Sequence, residues 1–149
     1  MRIIRMRITG THQLPAARRD VWAKLNDAEV LKRCIPGCEA LEKLSETEFR
    51  GRIAFGPVAA DGDVKLTDIQ PPASYRVSAV GNGRSAGPVS GGADVRLEES
   101  GGGTRLTYDV ETKSSGPVAR FAQHIIHAAA EELANKFFAN LAREVDQRA

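Results

Sequence analysis

Between residues 4 and 13 apolar and polar positions alternate, with Ile4, Met6 and Ile8 on one side and Arg5, Arg7, Thr9 and Thr11 on the other. A period of two predicts a half-buried strand. Leu14-Pro15-Ala16 breaks the alternation. Val21, Trp22 and Leu25 in RRDVWAKLND, then Val30, Leu31 and Cys34 in AEVLKRCI, take helical spacing and predict two short helices. From about residue 39 to 112 the chain reads as strands and turns. Phe49, Gly51, Ile53 and Phe55 oppose Arg50 and Arg52; after a Gly56-Pro57 turn, Val58, Ala60, Gly62, Val64 and Leu66 share a face. PPAS and GNGRSAG punctuate the strand YRVSAV, and VSGGADVRLEE, SGGGT and RLTYDVET form a closing hairpin. The interior glycines fit bends and bulges in a curved antiparallel meander.

Residues 117 to 146 predict one long helix, with Pro117 in its first turn behind Ser114 or Ser115 as cap. Its apolar stripe runs Val118, Phe121, Ile125, Ala129, Leu133, Phe137 and Leu141, widened by Ala122, Ile126, Ala130 and Phe138. The order is strand, two short helices, a run of strands and a long helix, which predicts an α+β domain over residues 1–149. Burying the helix stripe against the concave sheet face completes the core.

Composition narrows the function classes. With 149 residues, 42% hydrophobic and 27% charged, the chain is long enough for a core without disulfide staples. A formal charge of +2 gives no nucleic-acid signature. The first quarter has a basic tilt from Arg2, Arg5, Arg7, Arg18, Arg19, Lys32 and Arg33, which suits a solvated face better than an acidic partner. MRIIRMRITG lacks the apolar run of a secretory signal, and FAQHIIHAAA ends at Glu131 and Glu132, short of a membrane span. The expected location is cytoplasmic, where thiols stay reduced.

Few residues look reactive. Cys34 and Cys38 flank Pro36-Gly37 with three residues between them, not the two usual in redox and zinc pairs, and no other cysteine exists. They are expected to be structural. His124 and His127 stand one helical turn apart without a carboxylate at matching ligand spacing, so no metal is expected. The glycine runs match neither a dinucleotide fingerprint nor a P-loop. Asp61, Asp63, Asp68, Asp94 and Asp109 alternate with apolar residues, which places most on solvent faces, and no catalytic pair can be chosen from them. What stands out is small size: Ala60, Gly62, Ala79, Gly91 and Ala93 occupy inward strand positions, and Ala128, Ala129 and Ala130 recur on the long helix. Small residues on both walls leave either an unfilled apolar cavity or close backbone packing.

Four segments, VWAKLNDAEVLKRCIPGCEALEKL, GPVAADGDVKLTDIQPPASYRV, GGGTRLTYDV and AAAEELANKFFANLA, resemble the CoxG family, named for a subunit of carbon monoxide dehydrogenase. That family is part of the START-like, helix-grip (SRPBCC) superfamily. The resemblance runs from about residue 6 to 145 and is most specific between Asn26 and Glu39. It implies a sheet of six or seven strands gripping the C-terminal helix around a hydrophobic tunnel, with Pro36-Gly37 joining the second short helix to the meander. It further implies a non-enzymatic binder of an isoprenoid quinone or lipid-like molecule, accessory to a molybdenum-containing carbon monoxide dehydrogenase or related hydroxylase, with peripheral contact at the inner membrane face. No cofactor and no catalytic residue follow from it. Together with the small inner face, it makes Phe55, Val64, Val110, Phe121, Ile125, Ala129 and Leu133 the pocket candidates, with Leu31 and Ile35 at the mouth. The competing readings are an assembly or recruitment factor docking through Arg18, Arg19, Lys32 and Arg33, and a cyclase or hydrolase of the same fold.

Overall fold

The computed structural model describes residues 4–56, 58–83, 87–114 and 117–146, without the side chains of residues 4, 58, 117–124 and 126. The elements are β1 (Ile4–Leu14), α1 (Arg18–Leu25), α2 (Ala28–Cys34), β2 (Cys38–Lys43), β3 (Glu48–Phe55), β4 (Val58–Gln70), β5 (Ser74–Gly83), β6 (Gly87–Ser100), β7 (Gly103–Ser114) and α3 (Pro117–Val145). All seven strands form one antiparallel sheet in the order β1-β7-β6-β5-β4-β3-β2. This is the helix-grip architecture that the resemblance implies. The strands around the glycine runs are longer than their punctuation suggests: Gly81, Gly83, Gly87, Gly91 and Gly92 all lie within β5 or β6. Register, once set by flanking residues, carries through glycine because its backbone still pairs. The capping prediction for α3 partly lies outside the described residues, which exclude residue 115.

Local chemistry explains the short helices. The Asp27 carboxylate accepts from the Glu29 and Val30 amides at 3.0 and 3.5 Å, capping α2. Asn26 donates to the Trp22 carbonyl at 2.9 Å where α1 ends. The turn after α2 needs Gly37 itself: its φ is +74°, and a Cβ there would fall onto the Ala54 carbonyl of β3. Ala54 in turn donates its amide to the Gly37 carbonyl at 2.8 Å. Pro36-Gly37 is thus a close crossing of the α2–β2 turn over β3.

The core lies at one end of the molecule. Leu14, Val21, Val30, Cys34, Leu97, Leu106 and Leu141 are all but fully buried there, joined by Leu25, Phe49, Leu66, Tyr75, Tyr108, Phe138 and Val145. Thr104, fully buried, donates to the Ala16 carbonyl at 2.7 Å, which satisfies its hydroxyl. The C-terminal half of α3 is fastened to this core by its buried side chains and by Asn140, which donates to the Cys34 carbonyl at 2.9 Å. Arg33 forms a two-pronged pair with Glu144 at 2.9 and 3.1 Å. Both ends of that pair are solvent-accessible, so water screens it and its contribution to stability is small. On the convex face the strands carry cross-strand pairs, Arg7–Asp109, Arg50–Asp63 and Arg76–Asp94 at 2.6, 2.9 and 3.0 Å. These pair three of the outward aspartates, Asp63, Asp94 and Asp109.

Candidate functional site: an apolar cavity beside the core

Inward side chains shrink along the central strands from the core end into the middle of the sheet, with Val89 following Gly91 in β6. In β4 they run Leu66, Val64, Gly62, Ala60; in β5, Tyr75, Val77, Ala79, Gly81, Gly83; in β6, Leu97, Val95, Ala93, Gly91. The strands pair in register, so the large residues collect at one end and the small ones at the other. Gly51, Gly62 and Gly81 stand directly opposite one another across β3, β4 and β5. The helix cannot descend to fill the space, because its other half is held by Phe138, Leu141 and Val145. The consequence is a cavity of about 420 Å³ between the far half of the sheet and α3. That volume falls within the range of small-molecule pockets, roughly 300–1,000 Å³.

Its walls come from most of the sheet. Leu41 and Ile53 line one side, Val64 and Ala79 the floor, Met6 and Val89 the other side, and Ala130 the helix face. Ile35 and Cys38, from the turn after α2, border it. Thr112 and Ser114 of β7 supply inward hydroxyls. Arg52, Asp61, Asp63 and Lys113 also border the cavity, but they are exposed and stand at the outward positions of their strands. A broader groove of about 710 Å³ on the opposite face shares Gly51, Gly62 and Gly81. It is edged by Glu42, Arg50, Arg52, Asp61 and Asp63, of which Arg50 and Asp63 already pair. Its charges face solvent, so the inner cavity is the better candidate site.

The residues expected to form a pocket are dispersed. Ile35 and Val64 border the cavity. Leu31 and Val110 pack against the core, half-buried. The Phe55 ring faces Lys136 of α3, whose ammonium is 5.9 Å from the ring centroid. Ile125 is 64% exposed, Ala129 and Leu133 are half-buried outside the cavity lining, and the Phe121 side chain lies outside the described residues. In the described part of the helix, Phe137 and Leu141 of the expected stripe and Ala130 and Phe138 of its widened edge turn inward, joined by Ala134 and Val145, whereas Ile125 is exposed and Ala129 lies outside the cavity lining. Ala60, Gly62, Ala79 and Gly91, singled out by size, border the cavity; Ala93 lies one row nearer the core. Met6, Leu41, Ile53, Thr112 and Ala130 are not among the expected site residues. The signal that finds them is register, because each shares a cross-strand row or a facing element with the small residues.

Polar groups around α3 mark its seating. His127 places Nδ1 2.9 Å from Glu131 Oε1, and Nε2 3.4 Å from the Arg7 carbonyl oxygen of β1. His12 stacks against Phe138 and Tyr108 at centroid distances of 4.3 and 5.8 Å, and burial lowers its pKa. Among the described residues no group of three or more metal-ligating side chains converges, and no helix is long and apolar enough to cross a membrane.

The cysteines are free thiols in different settings. Cys34 is fully buried in the core, and burial pushes its thiol up to about 11 from an ordinary 9.0. Burial also raises Cys38, whose thiol donates to the Ala40 carbonyl at 3.5 Å. Native protein at pH 7.5 is expected to leave Cys34 unmodified by iodoacetamide and to alkylate Cys38 slowly, both reacting fully in denaturant. The raised Cys34 pKa contributes stability that is complete below pH 9 and lost as the pH climbs towards 11. The urea midpoint of the native protein should therefore fall across that window more steeply than that of Cys34→Ala.

Known proteins place this geometry. A conserved protein from Geobacillus kaustophilus superposes with a TM-score of 0.82 at 28% identity, covering 94% of this chain and 95% of that one. The Zhui aromatase/cyclase from Streptomyces sp. R1128 is similar at a TM-score of 0.74 and 16% identity, covering 97% and 96%. A truncated norcoclaurine synthase from Thalictrum flavum gives 0.69 and 14%, covering 99% and 97%. The last two likenesses establish the fold alone. No curated protein sequence matches significantly. The family model for CoxG, the carbon monoxide dehydrogenase subunit of that name, matches residues 10–146. With nearly its whole length matched, and with the gripped helix and hollow sheet described above, this chain belongs to the CoxG family.

Proposed function

We propose that the protein is a non-enzymatic binder of a lipophilic molecule, an isoprenoid quinone or a lipid of similar shape, serving a molybdenum-containing carbon monoxide dehydrogenase or related hydroxylase as an accessory. The observation that carries this reading is the cavity of about 420 Å³, whose inward side chains are apolar apart from two hydroxyls and a thiol. Burying an apolar molecule there releases ordered water from both surfaces, at about 25 cal/mol per Å². A catalytic site of this fold would need titratable groups converging on the cavity. The charged residues bordering it stand at outward strand positions instead. The family's name motivates the proposed partner enzyme, and the apolar character of the proposed cargo motivates loading at the inner membrane face. The docking-factor reading draws less support, since Arg33 is matched by Glu144 and Arg18 Nε is buried.

The test is organic-solvent extraction of the purified protein followed by mass spectrometry. The expected result is a quinone or lipid at about one per chain, which also protects Cys38 from alkylation because that residue borders the cavity. Recovery of nothing, together with no uptake of added menaquinone, would remove the carrier reading in favour of docking.

A further inference from the structure

Among the inward cavity residues described, the hydroxyls are those of β7, Thr112 and Ser114; Cys38 of β2 adds a thiol. Thr112 stands opposite Met6 of β1 and Gly91 of β6 and is half-buried. Its methyl lies over Gly91, where an added Cβ would meet Thr112 Cγ2 at 3.3 Å. Thr112 and Ser114 border the cavity from inward positions of β7, and neither side chain forms a hydrogen bond among the described residues. The facing walls, Leu41, Ile53, Val64 and Ala79, offer no polar side-chain atom. An inward hydroxyl beside an apolar volume must bond to water or to an occupant, since leaving it unpaired is costly.

We infer that Thr112 is a specificity-determining residue, selecting uncharged, mainly apolar molecules that carry one hydrogen-bonding oxygen at the end lying against β7. This rests on the binding reading above and adds to it an orientation and a selection rule. The oxygen meets the Thr112 hydroxyl, and the hydrocarbon body lies along β3, β4 and β5. A hydroxyl supplies one donor and two acceptor lone pairs, so a carbonyl, ether or hydroxyl oxygen is equally served. A carboxylate is disfavoured, because no described cation points inward to offset its desolvation.

The test uses fluorenone and fluorene, rigid molecules of the same outline that differ by one carbonyl. Calorimetry would compare the wild type with the isosteric Thr112→Val and the hydroxyl-retaining Thr112→Ser. The expected result is tighter binding of fluorenone than of fluorene by the wild type. In Thr112→Val the fluorenone Kd should rise about 2- to 13-fold with fluorene unchanged, and Thr112→Ser should keep the preference. Equal effects of Thr112→Val on both probes, or none on either, would overturn the selection role and leave the binding reading standing. Neither probe binding the wild type would overturn both. Thermal unfolding of each variant separates a misfolded protein from a lost contact.

Discussion

Ala130→Phe is expected to block the cavity without harming the fold. Among the described residues, Ala130 is the helix residue that borders the space, which is also lined by Gly62, Val64 and Ala79 of β4 and β5. A phenyl ring there must enter the 420 Å³ otherwise left to an occupant. Forcing a ligand in beside it is overpacking, which costs about 1–3 kcal/mol, a weakening of roughly 5- to 150-fold in Kd. The unliganded protein does not share that penalty, because the ring fills space instead of displacing core atoms. Its melting temperature should therefore hold or rise while fluorenone binding and co-purified lipid are lost. Ala129→Phe is the informative comparison, since Ala129 is outside the lining and one residue turns a helix by 100°. A block by Ala129→Phe with full binding by Ala130→Phe would mean that α3 presents a different face to the sheet.

Gly62→Ala is expected to damage the fold itself. An added Cβ would fall onto the Val80 carbonyl oxygen and lie 2.8 Å from Gly81 Cα, both backbone atoms of the neighbouring strand. Backbone held in a sheet ladder cannot swing aside as a side-chain tip can, so β4 and β5 would have to separate where their backbones approach closely. The expected loss is about 2–3 kcal/mol, a fall of roughly 5–10 °C in Tm. Gly92→Ala is the control, because the nearest atoms there belong to the end of the Arg76 side chain. Its cost should stay below about 1 kcal/mol. Equal losses at the two positions would show that strand propensity, not crowding against the neighbouring backbone, makes Gly62 necessary.

The fold was legible because its signals are local. Alternation in RITGT, EFRGRIAF and ADGDVKL marked strands and their inner faces, and Pro36-Gly37 marked where the second short helix ends. Where local signals mislead, pairing overrides them: GNG belongs to β5, and Gly87 to Gly92 belong to β6, although glycine-rich text looks like loop. The site was less legible. Size alone drew attention to Ala60, Gly62, Ala79 and Gly91 and, among Ala128, Ala129 and Ala130, could not tell which faces the cavity; the choice of Ile125 and Ala129 followed the hydrophobic stripe. A long helix that is apolar over much of its circumference does not announce which side faces the sheet.

What this chain determines by sequence alone is the alternation that makes the strands, the capping and turn residues that separate them, and the small inward residues that cannot fill a core. These are contacts within a few residues or a period of two, which need no knowledge of the partner strand. Only the tertiary structure decides that the small residues fall in common rows. Cross-strand register gathers them at one end, while Phe138, Leu141 and Val145 fasten half of α3 at the other. The helix bridges the emptied half because its fixed half holds it there, so the cavity belongs to no single segment of the chain.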